Sequence, residues 1–276
     1  AARGIYAYSG TSSVSVTANN VMTTTNDGIY AYAATTGTVT VTGNINAGDD
    51  GIEVYAGTGI TVTSSGSIVA ADEGIDVTTA GGPTVITANN VRTNTAGNDG
   101  IAINTPSTFD VTVTGAISGG AGTAAGAGID IRTGTSGTIT VQNGASVGAL
   151  SDFAITSAAT GATIINNNGT ITGSLILGPG GTVLNNLSSN SVNLRRFADT
   201  NADGVRDTEA VGLLLFGAGT DTFNNAATGT LRVSTVTGAT AFNTANETFA
   251  TGSAALSLTN AGVEQGHIVR LETFIN

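Results

Sequence analysis

The chain has 276 residues, 40 of them glycine, with no cysteine, no tryptophan and a single histidine, and its 19 acidic and eight basic residues leave a formal net charge of −11. All eight bases are arginine, and so acidic a chain is repelled by nucleic acid and by anionic membrane surfaces, which argues against both as partners. The lack of cysteine removes disulfides and thiolate chemistry, while low charge with abundant Val, Ile and Thr is the opposite of a disordered composition.

The first element is "GIYAY" at Gly4 to Tyr8, which returns at Gly28 to Tyr32. Gly-Ile pairs then recur at Gly51, Gly74, Gly100 and Gly128, with Ala154-Ile155 as a degenerate seventh, at intervals of 24, 23, 23, 26, 28 and 26 residues. A unit of this length is too small to bury its own apolar face and must stack on its neighbours. Within each unit hydrophobicity alternates with period two, which marks strands. The unit at Gly28 reads "GIYAY", then "GTVTVTG", then "NIN", closing on "DD". Three short strands separated by Gly, Asn and Asp corners predict an all-β, single-stranded parallel β-helix with about three strands per coil. The expected inner columns are Ile5, Ile29, Ile52, Ile75, Ile101, Ile129 and Ile155 on the first wall. Val16, Val41, Val62, Val85, Val113, Val141 and Ile164 are expected on the second, and Val21, Ile45, Ile68, Val91, Ile117, Val147 and Ile171 on the third. Residues 1–178 thus form regular coils, and 179–276 are expected to continue the solenoid with longer corners. "VGLLLFGAG" at Val211 to Gly219 reads as a buried strand, being far short of the roughly 18 apolar residues of a spanning helix. The opening "AARGIYAY" starts in mid-pattern, as a piece of a longer protein does.

The motifs "GTVTVTG", "NNGTITGSLILG", "DTFNNAATGTLRV" and "LETFIN" resemble the passenger regions of bacterial autotransporters and related surface adhesins along nearly the whole chain. The resemblance implies a right-handed β-helix displayed outside the cell, attached to the outer membrane through a barrel that is not part of these residues. It also implies adhesion to a host or neighbouring-cell glycan or protein, or self-association, without catalysis.

Four sets of residues stand out as candidate sites. All five tyrosines, Tyr6, Tyr8, Tyr30, Tyr32 and Tyr55, fall on one outward face of the first three coils, which suggests an aromatic platform for a partner. Asp27, Asp49, Asp50, Asp72, Glu73 and Asp99 share the corner before the first strand, where they act as turn formers or hold a bridging cation with Asn26 and Asn98. "DTNADGVRD" places Asp199, Asn201, Asp203, the Val205 carbonyl and Asp207 at the ligand positions of a calcium loop. Glutamate is missing from the twelfth position, which is Ala210, so the motif is closer to the short loops of extracellular calcium repeats. The outward threonines of the second wall resemble the ranks of ice-binding solenoids, but Ile86 is expected to interrupt them. An enzymatic alternative is a polysaccharide-processing β-helix, a lyase or tailspike-like hydrolase, with Asp76 and Asp130 as a carboxylate pair. A cleft lined by close carboxylates and an arginine is the feature that would favour it. His267, the one histidine, and the absence of a "GxSxG" elbow leave serine chemistry without support.

Overall fold

The structure is a computed structural model that describes residues 4–120, 126–148, 151–187, 191–198 and 208–233, together with short strands between 235 and 275. Among these residues all regular structure is strand, and the strands stack in parallel as a β-solenoid. Among the described residues no helix is long and apolar enough to cross a membrane.

The first wall is a nine-stranded sheet that begins with Ile5–Ser9, Ile29–Ala33, Ile52–Ala56, Ile75–Thr79 and Ile101–Asn104 and ends at Leu214–Leu215. Its register places Ile5, Ile29, Ile52, Ile75, Ile101, Ile129 and Ile155 in one column, as the Gly-Ile spacing predicts, and Leu175 and Leu214 extend it. From Ile29 onward this column is fully buried. The third-wall column Val21, Ile45, Ile68, Val91, Ile117, Val147 and Ile171 is likewise in register. The glycine before each isoleucine from Ile5 to Ile129 marks where these two walls meet. A Cβ on Gly28 would lie 2.5 Å from Ile45 Cγ2 and 2.7 Å from the Gly51 carbonyl oxygen, so the third-wall side chain and the next coil leave no room for one.

The second wall departs from expectation. It carries two inward columns: Val16, Val39, Val62, Ile86, Val111, Ile139 and Ile165, and beside it Ala18, Val41, Ser64, Ala88, Val113, Val141 and Asn167. Val85 and Ile164, expected inside, are exposed, whereas Ile86 and Ile165 are fully buried. Both errors fall where two apolar residues are adjacent, in "TVITA" and "TIINN", so that period two alone leaves the parity open. Pairing decides it, because Ile86 must align with Val62 and Ile165 with Ile139 for the flanking Thr84, Ala88 and Thr163 to keep their register.

From Asn167 onward the inner column turns polar. Asn167 donates to Asn186 Oδ1 at 2.8 Å and Asn186 to Asn225 Oδ1 at 2.8 Å, all three side chains being buried. Outside them Asn185 donates to Asn166 at 2.9 Å and Asn224 to Asn185 at 2.8 Å. Stacked amides satisfy one another coil by coil, which is what makes a buried asparagine column tolerable. Beyond residue 178 the second wall continues by parallel pairing of Thr182–Asn186, Thr220–Asn225, Ala255–Asn260 and Thr273–Ile275. An antiparallel pair, Ser191–Ala198 with Thr208–Val211, departs from the third wall.

Candidate functional site on the first-wall face

Because alternate residues of a strand point outward, the outer surface of the first wall is built from two columns. One reads Tyr6, Tyr30, Glu53, Asp76, Ala102 and Asp130; the other reads Tyr8, Tyr32, Tyr55, Thr78 and Asn104. The five tyrosines therefore do share one face, and Glu53 takes the place a sixth would occupy.

The rings are more ordered than a simple row. Tyr6 and Tyr30 have centroids 5.3 Å apart with planes 10° from parallel, and Tyr8 and Tyr32 are 5.0 Å and 15° apart. Coplanar rings cannot approach so closely without atoms colliding, so these pairs overlap face to face and each covers part of its partner's π surface. The ladder then breaks. The Tyr55 ring leaves the Tyr32 column and packs against Tyr30 at 6.0 Å, tilted by 46°. Its phenol pKa is raised by burial, by a hydrogen bond with Glu53 and by the charges of Glu53 and Asp76, so it stays a neutral hydroxyl. Where Tyr55 swings away, a hollow of about 230 Å³ opens, walled by Tyr32 and Tyr55 and floored by small residues that include Ala34, Gly57 and Ala80, with Thr78 at its margin. Exposure declines along the outer column, from 61% at Tyr8 to 37% at Tyr32, with Tyr55 half-buried.

The same face becomes strongly acidic toward the corner that precedes each strand. Asp27 and Asp99 are buried there, and Asp49, Asp50, Asp72 and Glu73 half-buried. Part of their work is structural. Asp50 Oδ1 accepts the Glu73 backbone N–H at 2.9 Å, and Asp99 Oδ1 accepts that of Ala127 at 2.8 Å, so each ties its corner to the next coil. Oxygen atoms of Asp27, Asp50 and Glu53 lie within 4.8 Å of one another, as do those of Asp49, Asp50 and Asp72, and these are the sets that could hold a cation. Stacking carboxylates one coil apart is costly, and their titration records that cost. Burial, followed by the charges of Glu73, Asp76, Glu53 and Asp72, pushes Asp50 up to about 8. Burial and then Glu73 raise Asp72 to about 6.

Arg132 is the feature that reading along the chain missed. Its guanidinium bonds Glu73 and lies 3.2 Å from Asp99, 3.5 Å from Asp130 and 3.8 Å from Asp76. Ala102, the outward residue between Asp76 and Asp130, is fully buried, and the guanidinium that contacts both aspartates bridges the gap above it. Burial alone would lower the Arg132 pKa, but the Glu73 hydrogen bond and the surrounding carboxylates carry it up, so it is permanently charged. Asp99 is raised to about 7, mainly by burial and then by Asp130, against the opposing pull of the Ala127 N–H and Arg132. Asp76 is also raised by burial and by Glu73, with Arg132 acting the other way. Thr156 donates to Asp130 Oδ1 at 2.5 Å. The pair expected from the sequence, Asp76 and Asp130, thus shares one arginine, and a signal existed: an alanine between two aspartates in one outward column leaves space for a long cationic side chain.

The calcium motif, Asp199 to Asp207, lies outside the described residues. One other expectation comes out differently. The threonine rank is not interrupted by Ile86, which points inward; Thr17, Thr40, Thr63, Thr87, Thr112 and Thr140 form one unbroken outward column. The neighbouring column reads Ser15, Thr38, Thr61, Val85, Asp110, Thr138 and Ile164, so a flat double rank of hydroxyls is still not formed. No protein-family profile, curated protein or solved structure matches this chain.

Proposed function

We propose that this chain is a non-catalytic, extracellular β-solenoid segment of a bacterial surface protein, and that it adheres to a partner through the outer face of its first wall. The observation that carries this reading is the confinement of every tyrosine to that face, with the hollow between Tyr32 and Tyr55 opening onto solvent. Exposed aromatic side chains clustered on one surface mark contact regions, because they offer large area at low entropic cost. Anchorage at the outer membrane through a region outside these residues belongs to the same proposal and rests on the resemblance of the motifs. Replacing Tyr32 and Tyr55 together by serine should leave the far-ultraviolet circular dichroism unchanged while lowering cell adhesion or self-association. Full retention of both in a folded double variant would reduce the tyrosines to sheet packing.

A second reading, polysaccharide cleavage, is favoured by the carboxylates around Arg132, since Asp99 near neutrality is suited to proton transfer. Against it, the guanidinium fills the space between Asp76 and Asp130. Release of reducing or unsaturated ends from a polysaccharide panel, abolished by Asp99→Asn, would establish cleavage in place of adhesion. Calcium binding at Asp199, Asn201, Asp203, Val205 and Asp207 is proposed from the motif alone. Calcium added to chelator-treated protein should raise the thermal midpoint by mass action, and Asp203→Ala should remove the increase.

A further inference from the structure

The hollow at Tyr32 and Tyr55 combines three properties that together define what it can hold. Its walls are aromatic, its volume of about 230 Å³ suits a side chain, and its floor is kept low by alanine and glycine. A Cβ on Gly57 would run into the backbone carbonyl of Ala34, so the floor is constrained to stay small. Tyr32 overlaps Tyr8 on one side, and because the Tyr55 ring turns to Tyr30, no second ring among the described residues stacks on Tyr32. An uncovered tyrosine face carries the negative lobe of the ring quadrupole and attracts cations.

The electrostatic surroundings point the same way. Glu53 is hydrogen-bonded to the Tyr55 phenol, and Asp76 acts on the same hydroxyl by its charge. At the opposite end of the same strands, the corner that precedes them, lie Asp27, Asp49, Asp50 and Asp72, of which Asp50 is held largely protonated near neutrality. Arg132 makes its ion pairs with Glu73, Asp76, Asp99 and Asp130, farther along the sheet. A neutral sugar ring gains nothing from this negative potential and would find most tyrosine faces already stacked. A second copy of the chain is disfavoured because each brings a net charge of −11.

Resting on the adhesive reading above, we propose that the hollow beside Tyr32 and Tyr55 receives a basic side chain, lysine or arginine, of a partner polypeptide. The aromatic walls hold the alkyl stem and the cationic head, and Glu53, whose charge acts on the Tyr55 hydroxyl, draws the cation toward it. Adhesion then selects partners by positive charge.

The chain has no tryptophan and all five tyrosines lie on this face, so intrinsic fluorescence reports on it directly. The experiment titrates the 276-residue protein with a short Gly-Ser peptide bearing two arginines, its dilysine counterpart, and the same peptide with citrulline. Both cationic peptides should change the tyrosine emission, with affinity falling as salt is raised, and the citrulline peptide should bind at least about five-fold more weakly. The Tyr32→Ser/Tyr55→Ser variant retains the net charge and should lose about five-fold or more in affinity when binding is followed calorimetrically. Should that variant prove misfolded by circular dichroism, Glu53→Gln keeps every ring and should weaken the cationic peptides without affecting citrulline. Equal binding of arginine and citrulline peptides, or equal affinity in the double-serine variant, overturns the proposal, the latter because only the diffuse field of the protein would be at work. Sedimentation of the protein as a dimer that the arginine peptide fails to dissociate overturns it in favour of self-association. If the double-serine variant loses adhesion while neither cationic peptide binds, the adhesive reading stands and the cationic partner falls.

Discussion

The outer faces of the first and second walls differ far more than their inner faces do. Inside, each carries a column of Ile and Val in parallel register, fully buried from the second coil onward at Ile29 and Val39. Outside, the first wall carries five tyrosines, Glu53, Asp76, Asp130 and Arg132, whereas the second carries an unbroken threonine column followed by Asn166, Asn185 and Asn224. In a coil one residue wide, the inward position specifies the stack and the outward position is free to diverge. The threonine face therefore represents what the solenoid needs for itself, a β-branched residue suited to a pleated surface. The first-wall face holds charges and rings that the stack does not require, and that is where function is to be sought.

The comparison is broken most severely from the inside. Ile52→Asp places a charge in the fully buried first-wall column and should unfold the N-terminal coils, at a cost above about 4 kcal/mol, seen as loss of the β circular dichroism signal at 25 °C. An intact signal would mean that Ile52 does not face the core. Next in size is Arg132→Met, which should destabilise by about 2 kcal/mol in denaturant titration. That value is held below the cost of a fully buried pair because the arginine side chain is 38% exposed. No loss would show that the four carboxylates are adequately solvated without it.

The pH dependence sharpens the same contrast. Asp50, Asp72 and Asp99 have folded-state pKa values of about 8, 6 and 7, above the ordinary carboxylate value of 3.8 that holds in the unfolded chain. A raised folded pKa means that the native state binds the proton more tightly. The stabilisation is thus fully present below about pH 4 and is lost as pH rises through 6 to 8. With chelator present to remove cations, the denaturation midpoint should fall progressively between pH 5 and pH 8.5. In Arg132→Met the fall should be steeper, because Asp76 and Asp99 lose their neutralising partner. A flat profile would place these carboxylates in ordinary solvent.

The smallest effect is expected on the second wall. Thr87→Val exchanges one β-branched outward residue for another and should change stability by no more than about 0.5 kcal/mol, with adhesion untouched. A loss of adhesion would move the functional face to the threonine column.

Much of this architecture was legible in the residues themselves. The Gly-Ile spacing determined the first-wall column from Ile5 to Ile155, and the third-wall column from Val21 to Ile171 followed at a near-constant offset from it. The sharing of one face by the tyrosines follows from the same alignment. Where a strand offers adjacent apolar residues, as at Val85-Ile86 and Ile164-Ile165, local alternation is degenerate, and only pairing with the neighbouring coils selects the buried one. Tertiary structure alone also decided that Arg132 reaches back to Glu73, that Tyr55 packs on Tyr30 and opens the hollow beside Tyr32, and that asparagines replace valines inside the later coils. The physical reason is common to all of them. Period and composition specify which way a residue points, but the reach of a long side chain and the partner that satisfies a buried polar group depend on residues one or more coils away.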